Sequence, residues 1–244
     1  MIHSITALPA FQDNYIWALE NTARDLCVVD PGDPQPVIDY VESHGGRLEA
    51  ILITHHHPDH TGGISTLVEK YACEVIGPNN PSIAGITRHV KQGDTLEVIG
   101  QSFTVWEVPG HTLDHIAFAT DARPADSVPP RVFSGDTLFA GGCGRLFEGS
   151  PEDMFSSMAA IAKLPDETKR YCAHEYTLSN ARFAVTVEPD NQALLDYVVE
   201  AKTLREQGVP TVPTTVAGEK AANPFMRAET AKRLGEIRAA KDSF

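Results

Sequence analysis

Nowhere in the chain do 18 apolar residues run together, which excludes a membrane-spanning helix. Positive charge is also scarce: 20 Lys and Arg stand against 33 Asp and Glu, a formal net charge of −13. Nucleic acid is held through a basic surface, so that class of partner is excluded as well. Cysteine is sparse and unpatterned. Cys27, Cys73, Cys143 and Cys172 lie far apart and form no Cys-x-x-Cys pair, so a disulfide scaffold is not indicated and four free thiols suit a reducing compartment. The opening Met1–Thr6 lacks a basic region followed by a long apolar stretch. No secretory signal is visible there, and a cytoplasmic protein is expected. No internal repeat stands out. What remains is a chain of 244 residues, 42% hydrophobic, enough for one large domain or one domain with a smaller companion.

The chain is organised around Ile51-Leu52-Ile53-Thr54-His55-His56-His57-Pro58-Asp59-His60-Thr61-Gly62-Gly63. An apolar, β-branched run predicts a buried strand, and Ile64, Leu67, Val68 and Tyr71 recur at helical spacing after it. Four histidines and an aspartate therefore fall on the loop between a strand end and a helix start. Neutral imidazole and carboxylate are the usual ligands of zinc and similar ions. Alternation sends His55, His57 and Asp59 to one side, with His60 beside them and His56 away. Five potential ligands exceed what one tetrahedral ion takes from its protein, which points to two metals.

The same arrangement recurs along the chain. The first thirty residues predict an antiparallel meander, closed by the turn Asp30-Pro31-Gly32-Asp33. Asp30 and Asp33 read first as turn formers and second as partners behind the histidines. A helix follows, ended by His44-Gly45-Gly46. Residues 82–95 read as loop. A strand ending near Val108 runs into Pro109-Gly110-His111-Thr112. Val132-Phe133-Ser134 runs into Gly135-Asp136, after a polar, Pro-rich excursion over 121–130. Ala140-Gly141-Gly142-Cys143-Gly144-Arg145 is glycine-rich, but it lacks the Lys-Ser/Thr ending of a phosphate loop and opens no helix. Ser150-Pro151-Glu152-Asp153 is a helix start. Arg170–Ala173 is a last short strand, ending in His174-Glu175-Tyr176. From about residue 175 the pattern turns helical, over 181–187, 194–204 and 228–240, with 208–224 as a loop.

Four strand ends thus deliver His55, His57, Asp59 and His60, then His111, Asp136 and His174. Two metals about 3.5–4 Å apart need roughly six protein ligands and a shared anion. Asp136 is the natural bridge, because a carboxylate has two oxygens. No cysteine stands near the motif, and coordination positions are left over for water. Hydrolysis fits that arrangement better than a structural zinc, which saturates four ligands.

Thr54-His55-x-His57-x-Asp59-His60 resembles the signature of the metallo-β-lactamase superfamily. Pro109–Thr112, Gly135–Phe139 and His174–Thr177 resemble the later ligand motifs of its glyoxalase II (hydroxyacylglutathione hydrolase) family. The likeness runs almost end to end, through Asn223-Pro224-Phe225-Met226-Arg227 to Arg238, Lys241, Asp242 and Phe244. It implies an α/β fold: a four-layer αβ/βα sandwich over 1–174, followed by a smaller all-helical domain over 175–244. It implies that one ion takes His55, His57 and His111, that the other takes Asp59, His60 and His174, and that Asp136 bridges them. Zinc is the expected metal, with iron and manganese also used in the family. The implied reaction is hydrolysis of the thioester S-D-lactoylglutathione to D-lactate and glutathione, the second step of methylglyoxal detoxification. A metal-bridging hydroxide would attack, with Asp59 as ligand and orienter and Asp136 as bridge. Arg145, Tyr176, Arg238 and Lys241 are the implied glutathione contacts, in a monomer with a small-molecule partner. Two positions depart from the pattern of some relatives, which have Lys where Arg145 stands and Tyr where Phe147 stands. The rival readings are another thioesterase or lactonase on this scaffold, and a persulfide dioxygenase with one iron. A β-lactamase is disfavoured, because Asp136 stands where those enzymes commonly have Cys.

Overall fold

The computed structural model describes residues 1–122 and 128–244. Within the excursion expected over 121–130, residues 123–127 lie outside that description. The chain forms two compact units, Met1–Glu107 with Asp114–Asp121, and Val108–Leu113 with Ala122–Phe244.

In the first unit, β1 (Ile2–Ala10), β2 (Asn14–Asn21) and β3 (Asp25–Val29) form the antiparallel meander expected from the sequence. The sheet then turns parallel, through β4 (Arg47–Leu52), β5 (Glu74–Pro78) and β6 (Arg88–Val90). The change coincides with crossover connections, which a parallel pair requires; those from β3 to β4 and from β4 to β5 are helical, while β5 runs to β6 through a loop. The helices are α1 (Pro34–His44), the short α2 (Pro58–Thr61) and α3 (Ile64–Tyr71). Asp33 accepts from the Gln35 amide to cap α1, and Gly45 ends it in the left-handed region at φ 65°. Val37, Val41, Ile64 and Leu67 from the helices join Leu26, Val28, Leu48, Ile51, Ile53 and Val75 in one core cluster. Cys27, Val29 and Leu52, on the opposite alternation, are buried too. That explains why β3 and β4 read as continuous apolar runs. Each such side chain contributes about 1.5–3 kcal/mol of burial, so these strand ends are a firm base for the groups that follow them.

The unit is completed by an antiparallel meander, β7 (Thr95–Val98), β8 (Gln101–Glu107) and β9 (Ile116–Thr120). β6 and β7 replace part of the loop expected over 82–95. β6 is three residues long and carries Arg88 and His89, too short and too polar to show a two-residue period, whereas β7 does alternate, exposed Thr95 and Glu97 with buried Leu96 and Val98, but over only four positions.

In the second unit, β10 (Arg131–Gly135) and β13 (Lys169–Cys172) pair in parallel. Between them come the small hairpin β11 (Leu138–Phe139) and β12 (Gly142–Cys143), then α4 (Pro151–Ile161). α4 opens with the capping box read from the sequence, formed by Ser150 and Asp153. After β13 come α5 (Thr177–Val187), α6 (Gln192–Glu206), α7 (Val216–Ala222) and α8 (Ala231–Asp242). The expected loop 208–224 therefore contains α7, together with a two-residue strand, β14 (Thr214–Thr215), paired to β13. α7 is seven residues long with Gly218 inside it, which hides it from periodicity. It stands because Glu219, 3% exposed, meets the fully buried Arg170 at 3.1 Å. Burial opposes the charge on Arg170, but neighbouring Cys172 and Glu219 hold its pKa above the ordinary value. Among the described residues no helix is long and apolar enough to cross a membrane.

Candidate metal centre

The ligand candidates of the first unit sit at the carboxyl ends of two parallel neighbours, where open α/β sheets collect ligands. β3 and β4 end side by side: the Asp30 amide donates to the Leu52 carbonyl (2.9 Å). Asp30 then turns in the left-handed region, at φ 53°. Its carboxylate accepts from the Thr54 amide (2.8 Å) and the Thr54 hydroxyl (2.7 Å), and its Oδ2 lies 3.1 Å from His60 Nδ1. β4 delivers His55. Pro58 opens α2, whose single turn brings His57, Asp59 and His60 back to it. His55 Nε2 and His57 Nδ1 stand 3.1 Å apart, His60 Nε2 and Asp59 Oδ2 3.4 Å. Asn14 Nδ2 donates to the same Asp59 oxygen (3.0 Å). Gly32 permits this approach, for a Cβ there would lie 1.8 Å from the Asp59 carbonyl oxygen.

The protons on these rings follow from their partners. A carboxylate cannot donate, so the Thr54 hydroxyl gives its proton to Asp30. It must then accept from His55 Nδ1, 3.0 Å away. His55 accordingly carries its proton on Nδ1 and turns the Nε2 lone pair toward His57. Such backing partners fix the tautomer of a ligating histidine and raise its basicity. His60 Nδ1 faces the same Asp30 oxygen at 3.1 Å, a charge contact rather than a hydrogen bond. His115, fully buried, stacks on His55 with centroids 4.6 Å apart. His56 turns elsewhere and pairs with Asp114 at 2.9 Å.

The second unit repeats the arrangement. β10 and β13 run in parallel register, and the Ala173 amide reaches the Gly135 carbonyl (3.2 Å). Asp136 and His174 therefore emerge together. His174 Nε2 lies 3.3 Å and His111 Nε2 3.5 Å from the same oxygen, Asp136 Oδ2. His111 Nδ1 donates to the Arg145 carbonyl (2.7 Å), which again leaves Nε2 as the lone-pair nitrogen. Gly144 is required here, since a Cβ would meet the Asp136 carbonyl oxygen at 2.1 Å and His111 Nδ1 at 2.9 Å.

This donor set fits divalent metal. Two donors about 2.0–2.1 Å from a tetrahedral ion lie about 3.4 Å from each other. The separations found within the two units, 3.1, 3.3, 3.4 and 3.5 Å, are those of donors arranged around an ion. His55, His57, Asp59, His60, His111, Asp136 and His174 each offer one ligand atom of suitable type.

The substrate-side candidates lie in the second unit. Arg145 is exposed; its Nε donates to Asp242 Oδ1 (3.1 Å), and its guanidinium lies 5.9 Å from the Phe147 ring centroid. Phe147 is exposed and meets the His111 ring edge-on. Tyr176 stacks on His174, with centroids 4.6 Å apart and planes 5° apart. Arg238 is buried, donating to the Cys143 carbonyl (2.8 Å) and to Asp242 Oδ1 (3.0 Å). Lys241 lies over the Phe183 ring, 5.3 Å from its centroid. Burial, then the neighbouring Arg238, lowers its pKa to about 8. All four cysteines are free and buried. Burial pushes the Cys143 thiol up to about 11, so it offers no thiolate nucleophile at neutral pH.

Residues 13–174 match the metallo-β-lactamase superfamily, and residues 175–244 match the hydroxyacylglutathione hydrolase C-terminus. A hydroxyacylglutathione hydrolase of Vibrio campbellii is 48% identical over 234 residues, covering 96% of this chain and 90% of that protein. Among solved structures, ETHE1 from Myxococcus xanthus superposes with a TM-score of 0.72 at 24% identity, over 98% of this chain and 90% of its own. At that identity it speaks for the fold. TTHA1623 in a di-iron-bound form superposes with a TM-score of 0.57 at 28% identity, over 70% of this chain and 91% of its own.

Proposed function

Because this chain belongs to the hydroxyacylglutathione hydrolases of the metallo-β-lactamase superfamily, it is a metal-binding hydrolase, and we propose that it cleaves S-D-lactoylglutathione to D-lactate and glutathione. The observation that carries the substrate is the match over 175–244, since the superfamily fold alone hosts many chemistries. Residues 1–174 are then the catalytic domain and 175–244 the substrate-binding domain.

His55, His57 and His111 would hold one divalent ion, and Asp59, His60 and His174 the other, with Asp136 shared. The convergence of two histidines on one Asp136 oxygen supports that sharing. Zinc suits this imidazole-rich set, and the di-iron form of TTHA1623 makes iron the alternative. When bound, the ions supply a nucleophilic hydroxide at neutral pH and polarise the thioester carbonyl. The chain's own part is to orient. Asp30 and Thr54 keep the His55 lone pair inward, and Asn14 steadies the Asp59 carboxylate. Arg145, Tyr176 and Lys241 would hold the glutathione moiety, with Arg238 contributing charge and fixing Asp242. A glutathione thiolate leaves without a strong acid, its thiol having a pKa of about 8.5. Four buried free thiols support a cytoplasmic setting, and we take the chain to act as a monomer.

Steady-state kinetics on a panel of glutathione and coenzyme A thioesters, with and without chelator, tests this reading. S-D-lactoylglutathione should show the highest kcat/KM, and activity should vanish with chelator and return with metal. Failure to cleave any glutathione thioester, or oxygen uptake with a glutathione persulfide, would refute it. Elemental analysis of active protein should approach two ions per chain.

A further inference from the structure

The glycine-rich segment between Asp136 and Arg145 lacks the Lys-Ser/Thr ending of a phosphate loop, yet its backbone is held by side chains from several distant elements. Residues 138–144 are all buried, although only β11 and β12 pair with each other there. Buried backbone groups need partners, and here side chains from distant elements supply them. Arg170 donates to the Leu138 carbonyl (2.7 Å). Asn223 Nδ2 donates to the carbonyls of Phe139 (3.2 Å) and Gly142 (2.9 Å). Asn180 Nδ2 donates to the Ala140 carbonyl (3.0 Å), and Arg238 to that of Cys143. The Gly141 amide donates to Glu219 Oε2 (3.1 Å). Glu219 also accepts from Asn223 (2.9 Å), Thr214 (2.6 Å) and Arg170 (3.1 Å), joining three of these groups in one network.

The loop's two ends are both at the metal centre. Its start follows Asp136, and the Gly144 amide closes it on the Thr137 carbonyl (3.2 Å). Its end supplies the Arg145 carbonyl that fixes the His111 tautomer, and the Arg145 side chain. Nothing in the loop's own sequence of small residues makes it rigid.

We propose that Asn180 and Asn223 are positioning residues, clamping loop 138–143 so that Asp136 and His111 face a metal ion and Arg145 faces the substrate. The segment after residue 175 thus shapes the metal centre as well as holding substrate. The Arg145 part rests on the glutathione reading given above; the metal part does not.

The test measures metal Kd by chelator competition, KM for S-D-lactoylglutathione at saturating metal, and the thermal midpoint. The variants are Asn180→Ala and Asn223→Ala, with Leu96→Ala as a control. Leu96 is a buried residue of β7 whose truncation costs stability without touching the loop. Both asparagine variants should weaken metal binding about tenfold or more, the range seen when a group behind a ligand is lost. Both should also raise KM about fivefold. Leu96→Ala should lower the midpoint and leave Kd and KM unchanged. Wild-type Kd and KM in the asparagine variants, with midpoints lowered like that of Leu96→Ala, would reduce the network to a structural one. If Asn223→Ala does not fold, Asn180→Ala decides alone. If the wild-type protein cleaves no glutathione thioester, the substrate reading fails, and the metal Kd still decides the clamp.

Discussion

Replacing Asp30 by Asn changes one atom and should misdirect a candidate ligand, His55. Asp30 Oδ1 takes the Thr54 amide, while Oδ2 takes the Thr54 hydroxyl and faces His60 Nδ1. An asparagine has one oxygen and one NH2 for these positions. Its NH2 cannot face the Thr54 amide, because donor would meet donor, so it takes the place of Oδ2. There it donates to the Thr54 hydroxyl, which must turn and donate to His55 Nδ1. His55 then carries its proton on Nε2, the nitrogen that should ligate. Losing such a backing partner typically weakens metal binding about 10–100-fold, or about 1.4–2.7 kcal/mol. Chelator competition on Asp30→Asn should show that loss, with kcat recovering substantially at saturating metal. Thr54→Val, which keeps the shape and removes the hydroxyl, should weaken binding about tenfold by the same route. Asp33→Asn is the control, because Asp33 only caps α1 through the Gln35 amide and asparagine caps as well. Wild-type metal affinity in both Asp30→Asn and Thr54→Val would refute the proton assignment.

Three further outcomes are expected. Asp136→Ala should lower kcat more than about a hundredfold and release metal on dialysis, since partners merely behind a ligand are worth about 10–100-fold; His56→Ala, which loses its ion pair with Asp114, should keep near-normal activity, and equal damage from both would put the ligand register in error. Lys241, with its pKa lowered to about 8, is charged below that pH and neutral above it, so KM for the anionic thioester should rise as pH passes through about 8, and this step should be absent in Lys241→Gln; the same lowering makes the unfolded chain bind the extra proton between about 8 and the ordinary value of 10.5, so the stability cost of burying Lys241 is relieved as pH rises across that window. Arg170→Met and Glu219→Gln each strand a buried charge and should lower unfolding stability by about 3–5 kcal/mol in denaturant titration, while the double variant should lose less than their sum; additive losses would mean the pair does not act as one.

Much of the site was legible because its signals are local. His55 to His60 follow an apolar strand directly, Pro58 and the glycines mark the turn, and the cap at Ser150 announces α4 within four residues. The partners behind the ligands were less legible. Asp30 and Asp33 look alike in a turn, and they separate only when β3 pairs in parallel with β4. That pairing sets Asp30 against Thr54, 24 residues away. β6, β14 and α7 were missed because each is too short or too polar for a period to form, and β7 because its alternation runs for only four residues; α7 owes its place to the Arg170–Glu219 contact, 49 residues apart in sequence.

By itself, then, the sequence determined which side chains could bind metal, the strand ends that carry them, and the helical texture after residue 175. Those features depend on residue type and on spacing of a few positions, which the chain retains whether or not it is folded. Only the tertiary structure decided the proton on His55 and on His111, the oxygen of Asp136 on which His111 and His174 converge, and the holding of loop 138–143 by Asn180 and Asn223. Those are contacts that reach across as many as 84 residues, between groups that no local pattern relates and that meet only when β3 pairs with β4, β10 and β13 lie in register and α5 and α7 pack against the loop they clamp.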